Sequence, residues 1–454
     1  MKKIVLLVFL MLCFMGLTGC NKSGEGKLPG TARVFQVGDK LEPQDYQPGN
    51  TGYIPIMKTE KGYYFFSTEK NGLCYVDAAT GKVMYLCNKP ECRHDGNEFC
   101  AATTDRYWIG NSCLYNGILF STAIEETDTQ YLYQLHAIAL DGSERSVVCT
   151  YYTVDKGTRD PRSVRSWYEW QLKIHRNKVI LPIELIGKEE MEDTSYYGLG
   201  ILDLDTMEMV FLDEEGVSKE NLRCNNISFN GDYMYFCRQE GKKNILYRYH
   251  LTEGTKESYK LMVNFSGLYL ALDDDTVIYT KRQSGMLCMH HYATGENEEK
   301  LRLTNTREVV LEDGRKIENF EDYVVADLAT DGTYIYIPEN ESRTTYELNK
   351  ETGKFEEIRE SNLVVLDREL NIVAKVNLAD SIDPMEWEGV DGGLHSQIRF
   401  FSYVGDEVYA RFTSKEALTD VYTFRCKLAD LLNGKPKFEL VYSDLYSRRE
   451  NEKK

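Results

Sequence analysis

The chain has 454 residues, a formal net charge of −18 and 28% charged residues. An acidic surface repels phosphate backbones and no basic patch interrupts it, so the composition argues against a nucleic-acid-binding protein. Thirty-two tyrosines, 18 phenylalanines and only ten prolines indicate a strand-rich chain with enough apolar surface for a large core.

The first 20 residues have the pattern of a secretory signal. Two lysines precede an apolar run over residues 4–16, which is too short for an ordinary membrane span. The run ends in the tetrapeptide LTGC at residues 17–20, which resembles the bacterial lipobox. The resemblance implies cleavage after residue 19 and a diacylglyceryl (palmitate-type) anchor on Cys20, at the extracytoplasmic face of the cell membrane. A soluble secreted protein and an uncleaved anchor are the alternatives.

Composition divides the rest of the chain into three parts. Residues 20–31 are rich in Gly and Lys and poor in apolar groups, which predicts a flexible tether after the lipidated cysteine. Residues 447–454 are predicted to be a polar C-terminal tail. Between them, residues 32–446 are predicted to form one domain, because a single pattern repeats through them.

That pattern is a tight polar turn followed by a strand in which large apolar or aromatic residues alternate. Its seven copies are marked at the turn by Gly62, Gly117, Asn177, Gly231, Asp274, Gly332 and Gly405. Each copy continues through a third strand, a second turn and a fourth strand. Units of four antiparallel strands at this period predict an all-β fold, a seven-bladed β-propeller with four antiparallel strands per blade. A stack of separate β-sandwich domains is the alternative, although sandwiches repeat less uniformly.

Extra sequence before and inside unit six predicts two inserted hairpins, the first before the unit and the second within it. One spans residues 309–317 and turns at Asp313 and Gly314, and the other spans residues 345–359. Insertions on one rim of a propeller are common sites of partner specificity, and harmless decoration is the alternative. Trp387 and Asp391, in a long loop before unit seven, are the candidates for an exposed partner contact.

Two terminal segments compete for the outer edge of the last blade. Propellers often close by pairing an N-terminal strand into that blade, which residues 32–37 (ARVFQV) would supply. Residues 438–442 (FELVY) would supply the edge from the C-terminal side. The sequence does not choose between them.

Four potential metal ligands crowd one loop after the fourth strand of unit one. Cys87, Cys92, His94 and Cys100 have the spacing C-x4-C-x-H-x5-C. Three thiols and one imidazole are a donor set for tetrahedral zinc, although the spacing is not that of a standard zinc knuckle. A disulfide within the loop and free thiols are the alternatives. A structural zinc is the only cofactor that the sequence indicates.

A second cysteine pair follows from a turn prediction in unit four. If the Asn-Gly dipeptide at 230–231 forms a two-residue hairpin turn, Phe229 faces Asp232 and Cys224 faces Cys237. The cysteines then occupy a non-hydrogen-bonded position, where Cα atoms lie about 4.5 Å apart, near the short limit for a disulfide. The pattern therefore predicts cross-strand neighbours that are able to bond.

The sequence contains no nucleophile elbow, P-loop, dinucleotide-binding glycine motif or zinc-protease helix, so no catalytic residue is predicted. The lipobox, the repeated DG-x-Y-x-Y strands and the loop LCNKPECRHDGNEFC resemble uncharacterised β-propeller lipoproteins of Gram-positive bacteria and, more distantly, Tol-system and WD-like propellers. The resemblance implies a non-catalytic scaffold that contacts the membrane through its lipid and binds a protein, peptide or glycan. The alternative is a cell-envelope glycan-cleaving hydrolase or lyase, using carboxylates at the propeller channel mouth.

Overall fold

A computed structural model describes most of the chain between Leu28 and Leu445. Outside the description lie residues 1–27, 29, 31–32, 46–55, 68–69, 71, 95–99, 104–111, 158, 162–171, 190–191, 214–215, 219–220, 241–242, 260, 262–264, 282–284, 311–315, 323–324, 326–327, 340–342, 350–353, 361, 378–393, 415–419 and 446–454. The predicted signal peptide, Cys20, Trp387 and Asp391 are among them.

The described strands form seven four-stranded antiparallel sheets, the blades, and each blade uses consecutive strands except where a hairpin is inserted. Blade 1 comprises β1 (Met57–Thr59), β2 (Gly62–Ser67), β3 (Gly72–Asp77) and β4 (Val83–Tyr85). Blade 2 comprises β5 (Ser112–Tyr115), β6 (Ile118–Glu126), β7 (Gln130–Ile138) and β8 (Arg145–Asp155). Blade 3 comprises β10 (Lys173–His175), β11 (Lys178–Glu189), β12 (Glu192–Asp203) and β13 (Met209–Phe211), with the short strand β9 (Arg159–Pro161) also paired to β11.

The remaining blades repeat this order. Blade 4 comprises β14 (Asn221–Asn230), β15 (Tyr233–Glu240), β16 (Lys243–His250) and β17 (Lys256–Tyr259). Blade 5 comprises β18 (Phe265–Ala271), β19 (Thr276–Lys281), β20 (Met286–His291) and β21 (Asn297–Arg302). Blade 6 comprises β24 (Ala329–Thr330), β25 (Ile335–Pro338), β28 (Asn362–Leu366) and β29 (Ile372–Asn377). Blade 7 comprises β30 (Leu394–Val404), β31 (Glu407–Ser414), β32 (Asp420–Lys427) and β33 (Glu439–Leu445).

Both predicted insertions are two-stranded hairpins. The first hairpin, β22 (Thr304–Val310) with β23 (Lys316–Asp322), joins blade 5 to blade 6. The second hairpin, β26 (Arg343–Asn349) with β27 (Lys354–Glu360), lies between the second and third strands of blade 6. A single short helix among the described residues, α1 (Leu428–Leu432), occupies a turn of blade 7. No helix within the described part of the chain is long and apolar enough to span a membrane.

Alternating side chains place the core between blades rather than within them. In β15, Met234 and Phe236 pack toward blade 3, whereas Tyr235 and Cys237 pack toward blade 5, because successive strand residues face opposite sides of a sheet. The described buried residues form seven apolar clusters, one at each junction between neighbouring blades, including the junction of blades 7 and 1. The ring is closed, and the prediction of a seven-bladed β-propeller is confirmed.

The outer edge of blade 7 belongs to the C-terminal candidate. Strand β33 pairs with β32 as the fourth strand, preceded by the buried Phe438. The described residues of the N-terminal candidate, 33–37, form no strand; Phe35 instead packs on Phe120 of blade 2, with ring centroids 5.8 Å apart. Within the described residues, therefore, side chains join blades 7 and 1, and no shared strand does.

The predicted register of blade 4 is wrong. The structure pairs Asn230 with Tyr233, so that the two turn residues are Gly231 and Asp232. Gly231 has a φ of +54° at the first central position of the turn, where hairpin turns of the II′ type place a glycine. An irregularity between Arg223 and Ser228 then shifts the pairing again.

These two shifts place Arg223, and not Cys224, opposite Cys237. A two-residue turn displaced by one position moves the pairing by two residues, so the alternation of faces is unchanged and the hydrophobic pattern does not show it. The irregularity does change the pairing, but it lies beyond the residues next to the turn from which the register was predicted. The side chain of Cys224 lies outside the described residues, so a disulfide between Cys224 and Cys237 stays a prediction.

Candidate metal centre and binding rim

The loop after β4 brings its four predicted ligands together. The sulfur atoms of Cys87, Cys92 and Cys100 and a ring nitrogen of His94 all lie within 4.8 Å of one another. The far end of the loop is bonded back to blade 1, where Leu73 N–H donates to the carbonyl of Ala102 at 2.9 Å. The loop is therefore closed on blade 1 at both ends, and Cys100 is 1% exposed.

Hydrogen bonds distinguish the thiols electrostatically. The Cys100 sulfur accepts from the backbone N–H of Thr103 at 3.4 Å and from its hydroxyl at 3.1 Å, and lies 3.6 Å from His94 Nδ1. A hydrogen bond from Cys87 lowers the pKa of the Cys100 thiol, and Thr103 and His94 lower it further against the opposing effect of burial. The same bond, together with burial, raises the pKa of Cys87. The cluster thus favours a thiolate at Cys100, the form that binds metals.

The imidazole of His94 is held in place by its backbone and by a ring. His94 adopts a left-handed φ of +55°, a conformation that non-glycine residues rarely take. Its ring stacks on Tyr85, the last residue of β4, with centroids 4.3 Å apart and planes inclined by 27°. The Tyr85 hydroxyl in turn donates to the carbonyl of Lys70 at 3.1 Å. These contacts fix the orientation of the ring toward Cys100.

The cluster lies at the outer edge of the junction between blades 1 and 2. Asn88 N–H donates to the carbonyl of Gly142, in a turn of blade 2, at 3.3 Å. Gly142 has a φ of +65°, and a Cβ there would approach Cys87 N to 2.7 Å, so that only glycine fits. Leu28 packs in the same apolar cluster as Cys87 and Cys92. Blade 1, blade 2 and the N-terminal segment therefore meet at this point.

The tight turns between first and second strands lie together on one face of the ring, here called the turn rim. In blades 2 to 5 these turns are residues 116–117, 176–177, 231–232 and 272–275. Hydrogen bonds connect them from blade to blade. The Tyr115 hydroxyl donates to Asn177 Oδ1 at 2.7 Å, and Arg176 Nη1 donates to Asp232 Oδ1 at 2.7 Å.

The N-terminal segment crosses the turn rim of blades 2 and 3. Arg176 N–H donates to the carbonyl of Gln44 at 2.8 Å, and Asn116 Nδ2 donates to the carbonyl of Glu42 at 3.0 Å. Arg176 Nε donates to Asp45 at 2.6 Å, and this hydrogen bond lowers the pKa of Asp45. Sequence reasoning missed this docking, because two of the three acceptors are backbone carbonyls, which leave no trace in a side-chain pattern.

The two inserted hairpins leave the opposite face, here called the insert rim. Strands alternate in direction within each blade, so β21 and β25 both end away from the turn rim. The bases of the hairpins adjoin: Val325, after the first hairpin, forms a bridge with Glu339, before the second. Lys375 Nζ donates to the carbonyl of Thr304 at 3.3 Å, which ties the first hairpin to blade 6. The connection from β29 to β30 leaves this rim too; it contains Trp387 and Asp391, which lie outside the described residues.

Several partly buried carboxylates in the described part of the chain bind basic groups. Asp203 pairs with Lys178, and Asp213 pairs with Arg238 through two hydrogen bonds of 2.8 and 2.7 Å. Asp203 also accepts from the backbone N–H of Asp205 at 2.9 Å, which is a turn-forming role. These contacts account for the named carboxylates as structural groups.

Comparisons with known proteins support no finer assignment. No protein-family description matches the chain, and no curated protein does. Similar solved structures include uncharacterized protein lmo1340 from Listeria monocytogenes EGD-e (8% identity over 75% of this chain and 83% of that chain, TM-score 0.42) and TolB from Acinetobacter baumannii (12%, 85% and 78%, TM-score 0.30). Another is the β-propeller domain of the Trilobed protease from Pyrococcus furiosus, described as having an open velcro topology (12%, 73% and 98%, TM-score 0.32). Because these three TM-scores are all below 0.5, the fold assignment rests on the strand pairing of this chain.

Proposed function

We propose that this chain is a lipoprotein anchored through Cys20 at the extracytoplasmic face of the bacterial cell membrane, whose propeller is a non-catalytic binding or scaffold module. The observation that carries the proposal is the placement of two features on opposite faces of the ring. The N-terminal segment lies on the turn rim, and the two hairpins extend from the insert rim. The anchored end therefore faces the membrane while the elaborated face points away from it.

Chain length limits how far the ring stands from the membrane. Leu28, which packs at the outer edge of blades 1 and 2, follows Cys20 by eight positions in the sequence. A fully extended segment of that length spans at most about 29 Å. The chain then crosses the turn rim between Leu41 and Asp45. The lipid thus holds the turn rim close to the bilayer surface.

The insert rim is the surface we assign to the partner. The two hairpins have adjoining bases next to blade 6, and inserted elements on one rim of a propeller suit recognition of a protein, peptide or glycan. The first hairpin, residues 304–322, carries six acidic and three basic residues. This charge favours a partner whose contact surface is positively charged.

Removing the lipidated thiol is expected to release the anchor. In Cys20→Ala, incorporation of a clickable fatty acid into the protein should be lost, because the diacylglyceryl group needs that sulfur. Cys13→Ala is the matched control, since this cysteine lies within the predicted signal and leaves with it. The measurement is fluorescent labelling after gel separation, together with the mass of the N-terminal peptide. Labelling that persists in Cys20→Ala would contradict the lipidation.

Deleting a hairpin is expected to abolish partner capture while the ring stays folded. Replacing residues 305–321 with a Gly-Ser linker should lower the yield of the cross-linked partner by at least about tenfold, because the removed ladder supplies the contact surface. The yield is measured by cross-linking intact cells and recovering the tagged chain.

The control carries the same linker inserted at Gly295 on the turn rim, where a side chain would meet no atom within 4 Å of its Cβ. It should retain the partner, and its unfolding midpoint should match that of the hairpin deletion. If the Gly295 insertion lost the partner while the hairpin deletion retained it, binding would lie on the turn rim and the proposal would be overturned.

A further inference from the structure

We infer that Cys87, Cys92, His94 and Cys100 bind one Zn²⁺ ion in a closed structural site that fastens the loop after β4 to the junction of blades 1 and 2. The site does not depend on the proposed function. It uses four protein ligands and leaves no coordination position open, so its role is mechanical and not catalytic.

The size of the cluster matches a zinc tetrahedron. With Zn–S near 2.3 Å and Zn–N near 2.0–2.1 Å, neighbouring ligand atoms of a tetrahedron lie roughly 3.6–3.8 Å apart. The distance from Cys100 Sγ to His94 Nδ1 is 3.6 Å, and all four ligand atoms are within 4.8 Å of one another. Small side-chain rotations therefore complete the coordination, without movement of the strands.

The surroundings already provide the outer contacts that metal-bound thiolates and imidazoles require. Thr103 supplies two donors to the sulfur of Cys100, and the Tyr85 ring supports His94. Such contacts orient ligands and stabilise the charge on sulfur. A disulfide would use two of the three thiols and leave the third thiol and the imidazole without a shared function. Zinc uses all four groups.

The location of the ion gives it a specific structural task. The loop contacts blade 1 through Ala102 and blade 2 through Asn88, and the N-terminal Leu28 packs beside it. A cross-link here stabilises the outer edge of the junction at which the chain enters the ring. Because all four ligands come from this one loop, the ion would add directly to the stability of the loop.

The test is metal analysis of the full chain, purified in detergent, reduced under anaerobic conditions and reconstituted with Zn²⁺ alone. We expect one zinc per chain, and loss of nearly all of it in Cys92→Ser. Cys92 is half-buried in the loop, so this variant should keep the ring folded. Cys149→Ser is the matched control, because Cys149 is also half-buried but lies in β8, outside the cluster. Co²⁺ in place of Zn²⁺ should show tetrahedral, thiolate-ligated absorption in the wild type and in the control only.

The conservative variant Thr103→Val separates a supported site from an accidental one. It keeps the volume and removes the hydroxyl donor to Cys100, so zinc affinity should fall by about tenfold while the stoichiometry remains one. A metal-free reduced chain, or a mass lower by two hydrogens that shows a disulfide within the loop of the chain as isolated, would overturn the inference. Equal zinc content in Cys92→Ser and the wild type would overturn it as well.

Discussion

Tyr442→Ala is expected to destabilise the ring by about 3–5 kcal/mol, because it removes one of the two stacked aromatic rings that join the last blade to the first. Tyr442 in β33 is 4% exposed and stacks on Phe65 of β2 with ring centroids 4.0 Å apart. No strand is shared across this junction in the described part of the chain, so side chains must hold it. The measurement is urea unfolding followed by far-ultraviolet circular dichroism.

Leu440→Ala is the matched control for this prediction. Leu440 lies on the same strand but is 52% exposed, so its truncation should cost much less. Amide hydrogen exchange in Tyr442→Ala should accelerate first in blades 1 and 7, where the ring would open. Equal effects of the two substitutions, or faster exchange spread evenly over all blades, would show that these side chains do not close the ring.

Asp213→Ala is expected to cost a similar amount, about 3–5 kcal/mol, because it leaves the Arg238 guanidinium buried without its carboxylate. The two side chains are 15% and 5% exposed and form a bidentate pair between blades 3 and 4. A buried charge that has lost its partner retains its desolvation penalty. The same urea titration measures the effect.

A second arginine pair in blade 4 provides the control. Arg248 also binds one carboxylate, Glu257, through two nitrogen atoms, but Glu257 is 52% exposed. Water can replace the lost carboxylate there, so Glu257→Ala should cost below about 1 kcal/mol. If both substitutions had the same small effect, the pair between blades 3 and 4 would not contribute to the stability of the ring.

The junction between blades 7 and 1 also contains a polar network. Lys58 in β1 pairs with Glu407 in β31 at 2.7 Å, and Arg425 donates to the Tyr63 hydroxyl at 2.7 Å. Burial would raise the pKa of Glu407, but hydrogen bonds from Lys58 and Tyr409 outweigh it and lower the pKa below its usual range. Among the described residues, the aromatic contact and this network together join blade 7 to blade 1. Neither was predicted, because their partners lie more than 300 residues apart.

Local chemistry explains what could be predicted. The turns at 116–117 and 176–177 place both central residues at positive φ; three of the four are Gly or Asn, which favour it, and alternating residues follow each turn. Turn and strand are each specified within about ten residues, so the number of blades and the positions of both hairpins can be read along the chain. Cys87 and Cys100 of the predicted metal site are also close in sequence, and the structure brings them together.

The sequence by itself determined the strand content, the sevenfold repeat, the inserted hairpins and the acidic surface, since each follows from the local order of residues. Only the tertiary structure decided the register of β14, the C-terminal outer edge of blade 7, the course of residues 41–45 over the turn rim and the meeting of the hairpin bases. These features arise from contacts between distant residues, such as Phe65 and Tyr442, or from backbone groups that every residue carries. Such contacts are selected by packing in three dimensions, and no periodicity of side chains encodes them.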